Sequence, residues 1–124
     1  MEPATVLVIE EGAEAALVCA ALAKQPDLRV LDAPDIGRAL KRLKGSKGRV
    51  AVAIVGPDAL AKSGAQLMKK LETRGIPIVV VASSLTPSVR QRALAAGVRE
   101  VHERPQAWQP YSQFIESLVG RFRS

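Results

Sequence analysis

The chain has only one cysteine and one histidine among its 124 residues. A lone thiol excludes an internal disulfide, and with a single imidazole it cannot build a multi-ligand zinc or other transition-metal centre. Aromatic rings are equally scarce, at one Trp, one Tyr and two Phe. Long apolar runs are missing too: one of the longest, residues 76–82, falls far short of the roughly 20 residues that span a bilayer, so no membrane association is expected. Near the N-terminus, Glu2 stands where an export signal carries basic residues, and the apolar stretch 5–9 stops at two glutamates. A cytoplasmic location is therefore expected.

The composition that remains is that of a globular protein, 48% hydrophobic with a mean hydropathy of +0.09, and one domain over residues 1–124 is expected. The net charge is +6. Of 18 basic residues, six fall in the stretch Arg38, Lys41, Arg42, Lys44, Lys47 and Arg49, with no acid inside it. Clustered cations bind phosphate by releasing counterions, yet no aromatic residue lies nearby to stack on bases. The stretch reads as a solvated helix face; an acidic protein partner or nucleic acid is the alternative, with nucleic acid disfavoured.

Residues 5–9 (TVLVI), 50–55 (VAVAIV), 76–82 (IPIVVVA) and, more weakly, 28–31 (LRVL) are short, apolar and rich in β-branched residues, as strands covered on both faces should be. A fifth and polar segment, residues 98–102 (VREVH), suits a sheet edge. Between them the period becomes helical, with stripes at Ala13, Ala16, Leu17 and Ala20, at Ile36, Leu40 and Leu43, and at Leu67, Met68 and Leu71. Val89, Ala93 and Ala96 mark a fourth helix, capped by Thr86, with Pro87 in its first turn and Gly97 at its end. Tyr111, Phe114, Ile115, Leu118 and Phe122 mark the last. Gly45 to Gly48 reads as a loop. Strands separated by helices cannot pair as hairpins; right-handed crossovers give a doubly wound five-stranded parallel α/β sheet, (βα) repeated five times.

Ligands of such sheets gather beyond the carboxyl ends of the strands. Those ends hold Glu10, Glu11, Gly56, Asp58, Ala82, Ser83 and Arg104. The paired acids after the first strand are hard oxygen ligands of the kind that hold Mg²⁺. An acidic pair, a central strand with Gly64 beyond it, the run Arg90 to Gly97 (RQRALAAG) entering Val98, and Arg104-Pro105 together resemble the receiver domains of response regulators, over nearly the whole chain.

The resemblance implies a CheY-like, flavodoxin-type fold with strand order 2-1-3-4-5, and a role in two-component signal transduction. It implies that Glu10 and Glu11 stand for the Mg²⁺-binding pair and that Gly56 stands where an Asp takes up phosphate. Ala82, with Ser83 adjacent, stands for the hydroxyl position, Val101 for the aromatic switch, and Arg104 for a Lys before a cis Pro. Glycine offers no side chain to attack a phosphoryl donor, so a pseudo-receiver is expected: not an enzyme, with no cofactor beyond weak Mg²⁺ binding through Glu10 and Glu11. Asp58, two residues past Gly56, reads as a turn residue, and Arg104 is expected to pair with Glu10 or Glu11.

Cys19 reads as an inert small hydrophobe, His102 as a surface or hydrogen-bonded residue, and Trp108 as a cap on the core in preference to an interface anchor. The expected contact surface is the fourth helix, fifth strand and fifth helix, carrying Arg90, Arg92, Arg99, Arg121 and Arg123. It would meet an acidic partner, or Glu100, Glu103 and Glu116 of a second copy. Three other readings stand beside this one. They are a conventional phosphorylated receiver with shifted site chemistry, a basic nucleic-acid-binding module, and a Toprim-like nuclease built on Glu10 and Asp58, which lacks a second metal-binding acid.

Overall fold

A computed structural model describes residues 4–44 and 49–123, with the side chains of residues 63–67 outside that description. Lys47, the loop at Gly45 to Gly48 and the side-chain placement of Leu67 therefore fall outside the described residues, as does the surrounding of Gly64. The elements alternate as β1 (Ala4–Ile9), α1 (Gly12–Leu22), β2 (Leu28–Ala33), α2 (Ile36–Lys44), β3 (Val50–Val55), α3 (Pro57–Thr73), β4 (Ile78–Ala82), α4 (Pro87–Ala95), β5 (Glu100–Glu103) and α5 (Trp108–Arg123). All neighbours pair in parallel, in the order β2-β1-β3-β4-β5. This is the doubly wound sheet that the alternating periods predict. Strand β4 starts two residues later than the apolar run does, beyond Ile76 and Pro77, because Pro77 has no N–H to give the ladder. Strand β2 is longer than its apolar stretch, running on through Asp32 to Ala33.

Two cores flank the sheet, and the two-residue period of a strand assigns side chains to them. Leu7, Ile9, Ala53, Val55, Ile78 and Val80 face α2, α3 and α4, where they meet Ile36, Leu43, Met68, Leu71 and Ala93. Val6, Val8, Val52, Ile54, Val79 and Val81 face α1 and α5, meeting Val18, Leu22, Tyr111, Ile115 and Leu118. Each fully buried Leu, Ile or Val contributes about 1.5–3 kcal/mol. Covering on both faces is what allows the strands to be apolar without alternation.

The capping of α4 follows the sequence. Thr86 Oγ accepts the Val89 N–H at 3.2 Å, Pro87 sits in the first turn, and Gly97 takes the left-handed φ of +94° that a side chain would resist. For α1 the expected stripe is wrong. Ala13, Ala16 and Ala20 are exposed and Leu17 half-buried, while Val18, Ala21 and Leu22 are the buried residues. The helix GAEAALVCAAL is apolar nearly all round, so spacing alone does not choose its inner face. Trp108 is a second correction: it opens α5 at 41% exposure, tilted against the Tyr111 ring, and does not cap the core.

Candidate functional site

The ends of four strands, β1, β3, β4 and β5, build the mouth of the sheet. Glu10 follows β1, its N–H donating to Ala33 O at 3.0 Å and so tied to β2. Gly56 follows β3 and donates to Ile9 O at 3.0 Å, which lays it beside the residue preceding Glu10. Arg104 follows β5, donating to Ala82 O at 2.8 Å. Glu10, Gly56, Ala82 and Arg104 are thus brought together at the ends predicted for them.

Gly56 has an extended backbone at φ −80° and ψ 156°, a conformation open to any residue. Its surroundings are not open. A Cβ built on Gly56 would overlap the Glu10 carboxylate, whose two oxygens and carboxyl carbon are its three nearest atoms. The Glu10 carboxylate lies in the space that a side chain at 56 would use. Burial pushes the Glu10 carboxyl up to about 7, with the neighbouring charges of Glu14, Asp58 and Glu11 acting in the same direction and the Glu11 backbone N–H opposing them.

Glu11 points elsewhere and lies 3.7 Å from Lys62 Nζ on α3. Arg104 pairs with Glu14 at 3.2 Å, and among the described residues its ion pair reaches neither Glu10 nor Glu11. The expected pairing is thereby corrected: with Glu10 turned into the Gly56 gap, the acid facing the β5–α5 loop is the one in the first turn of α1. Arg104 also lies over the Tyr111 ring, 5.8 Å from its centroid. Glu14, Lys62 and Tyr111 are the site residues that sequence reasoning missed; the four-residue step from Glu10 to Glu14 was the available signal for the first.

Tyr111 is 2% exposed, and burial pushes its phenol up to about 12; its hydroxyl and the Arg104 Nε are buried without hydrogen-bond partners among the described residues. Val101 is buried in the core, Ala82 is buried and Ser83 exposed. Asp58 is exposed in the first turn of α3, where its charge suits the helix N-terminus. No peptide bond in the described residues is cis, so Arg104-Pro105 departs from the pattern the resemblance implies. A resident Mg²⁺ does not fit these residues. Glu10 is turned inward, Glu11 is paired, residue 56 has no carboxylate, and no three His, Cys, Asp or Glu among the described residues converge as a metal-holding group.

The surface of α4, β5 and α5 divides the five arginines. Arg121 makes a two-pronged bond to Glu100 at 3.0 and 2.8 Å, and Glu100 also contacts His102 Nε2 at 2.7 Å. These bonds, Arg121 first, hold the Glu100 carboxyl below its usual range. Arg123 reaches Asp27, in the turn just before β2. Arg90, Arg92 and Arg99 are exposed and carry no ion pair among the described residues, and Leu94 between them is 50% exposed. On α2, Arg38 and Arg42 pair with Asp35 and Asp32 at 3.7 and 3.3 Å, so acids just upstream answer part of that basic stretch. Cys19 is half-buried and free, its thiol pushed up by burial and by Asp32.

No family model matches the sequence, and no curated protein does either. Solved structures do match. A phosphorylated cyanobacterial phytochrome response regulator, RcpA, superposes with a TM-score of 0.78 at 16% identity, over 98% of this chain and 95% of that one. The chain has the receiver fold. A response regulator from Thermotoga maritima gives a TM-score of 0.71 at 17% identity, over 95% and 98% of the two chains. The chemotaxis response regulator CheY4 of Vibrio cholerae gives 0.70 at 19%, over 97% and 98%. On the receiver fold, the five-stranded order found here places the Glu10–Gly56 contact at the carboxyl edge, beside the point where strand order reverses between β1 and β3. No described helix is long and apolar enough to cross a membrane.

Proposed function

We propose that this chain is a pseudo-receiver, a cytoplasmic signal-transduction module that works by protein contact and is not phosphorylated. The observation that carries the reading is residue 56: a glycine whose side-chain space is filled by the carboxylate of Glu10. Acyl-phosphate chemistry needs a carboxylate at that position with a cation beside it, and neither Glu10, turned inward among other acids, nor Glu11, held by Lys62, meets the need. The chain then has no catalytic residue and no resident cofactor.

The contact surface is α4 with its flanks. Arg90, Arg92 and Arg99 supply unanswered positive charge, and Leu94 supplies an apolar anchor. Arg121 and Arg123 are occupied at home and leave the proposed surface. The same bookkeeping favours an acidic partner over a second copy, because Glu100 is held by Arg121 and Glu103 accepts the Leu85 N–H at 2.8 Å. Incubation with acetyl phosphate and Mg²⁺, followed by intact-mass measurement, should give no phosphoryl adduct; a stable adduct would overturn the proposal. A pull-down from the native host should recover an acidic protein at low salt and lose it as salt rises.

A further inference from the structure

We infer that Glu10 and Gly56 form an interlocked pair, in which the Glu10 carboxylate is the built-in stopper of the strand-end pocket and is the reason residue 56 is glycine. Backbone conformation does not require glycine there, since φ −80° and ψ 156° suit any L-residue. Turn chemistry does not require it either: Gly56 precedes α3 without a side-chain cap, a position where Ser, Thr, Asp or Asn would contribute a hydrogen bond to the helix. What opposes a side chain is the space that Glu10 occupies. The three nearest atoms to a Cβ at 56 all belong to the Glu10 carboxyl group.

The contact shuts the pocket from within. The Glu10 carboxylate occupies the space beside the end of β3, while Glu11 and Glu14 are engaged by Lys62 and Arg104. Glu10 is the far end of a flexible arm, so a methyl group at 56 drives it outward toward Glu11 and Glu14 without blocking the fold. Gly56→Asp alone then cannot reopen the site, because the new side chain meets the Glu10 carboxylate. As a statement about regulation this rests on the pseudo-receiver reading. The test addresses the steric pair itself, so a failed pull-down and a failed test are separate results.

The experiment is a double-mutant cycle on the full chain, with thermal midpoints of wild type, G56A, E10A and E10A/G56A. With Glu10 present, G56A should lower the midpoint. With Glu10 shortened, the same methyl enters vacated space on a backbone that accepts alanine, and should raise it. The two shifts should differ by about 3 °C or more. Folding of E10A/G56A where G56A fails to fold would support the pair equally. Equal shifts in both backgrounds, a difference of the opposite sign, or failure of G56A to fold in both would overturn it.

Discussion

At the carboxyl ends of the strands two of the three clustered glutamates are paired within the chain, whereas the arginines on and just after α4 face solvent unpaired. Glu11 has Lys62, Glu14 has Arg104, and Glu10 is folded over Gly56. Arg90, Arg92 and Arg99 have no such partners among the described residues, and Leu94 of α4 is exposed. Ion pairs made within the chain contribute to folding, and charges left without partners are available for binding. Stability and contact should therefore respond to different residues of one small fold.

The largest test of that division is Arg104→Ala. The side chain is 19% exposed, pairs with Glu14 and lies over Tyr111, so its removal leaves an acid cluster uncompensated and should cost about 2–3 kcal/mol in denaturant unfolding. Partner capture should survive wherever the variant is folded; a variant as stable as wild type would break the comparison from the pocket side. From the other side, R90E/R92E should weaken an acidic partner at least about tenfold in a binding titration while moving stability by less than about 0.5 kcal/mol. An unchanged affinity would remove α4 from the contact surface.

Glu10 gives a smaller effect with a definite sign. Its carboxyl titrates near 7 in the fold against an ordinary value of 4.5, so the unfolded chain releases this proton first as pH rises. The resulting loss of stability is absent below pH 4.5, grows between 4.5 and 7, and is complete above 7. Because Glu10 is only partly buried, solvent screening reduces the full penalty to about 1–2 kcal/mol. Glu10→Gln should raise stability by that amount at pH 8 and leave it unchanged at pH 4; an equal gain at both values would refute the assignment.

These groups also mark where reading the sequence stops. The runs of β1, β3 and β4 and the Thr86 cap are legible because each is a local pattern with one physical outcome. Strand order is not local: crossover handedness sets only the face each helix covers, and the order 2-1-3-4-5 is what the resemblance to receiver domains implies. The identity of the strand-end residues is legible as the local runs are, since each lies next to a strand. Their partners are not. Whether Glu10 turns outward to a cation or inward to Gly56 depends on a rotamer and on empty space, and Arg104 choosing Glu14 depends on the first follow-up of β5 meeting the first turn of α1. The inner face of α1 is hidden by its alanines, and the pairing of Arg123 with Asp27 joins residues 96 apart that no short window contains.

The smallest predicted effect probes the floor of the closed pocket. Tyr111 is buried in the same core as Val8, Ile54 and Ile115, and its hydroxyl has no hydrogen-bond partner among the described residues. A buried hydroxyl that has given up water without a replacement is a cost, and the group carrying it can be removed without changing the ring. Tyr111→Phe should therefore stabilise the fold by about 1 kcal/mol, read as a rise in thermal midpoint, with Arg104 still seated over the phenyl face. If the substitution destabilises by a similar amount, the hydroxyl has a bonded partner in solution, and the pocket is wetter and less closed than the comparison with α4 requires.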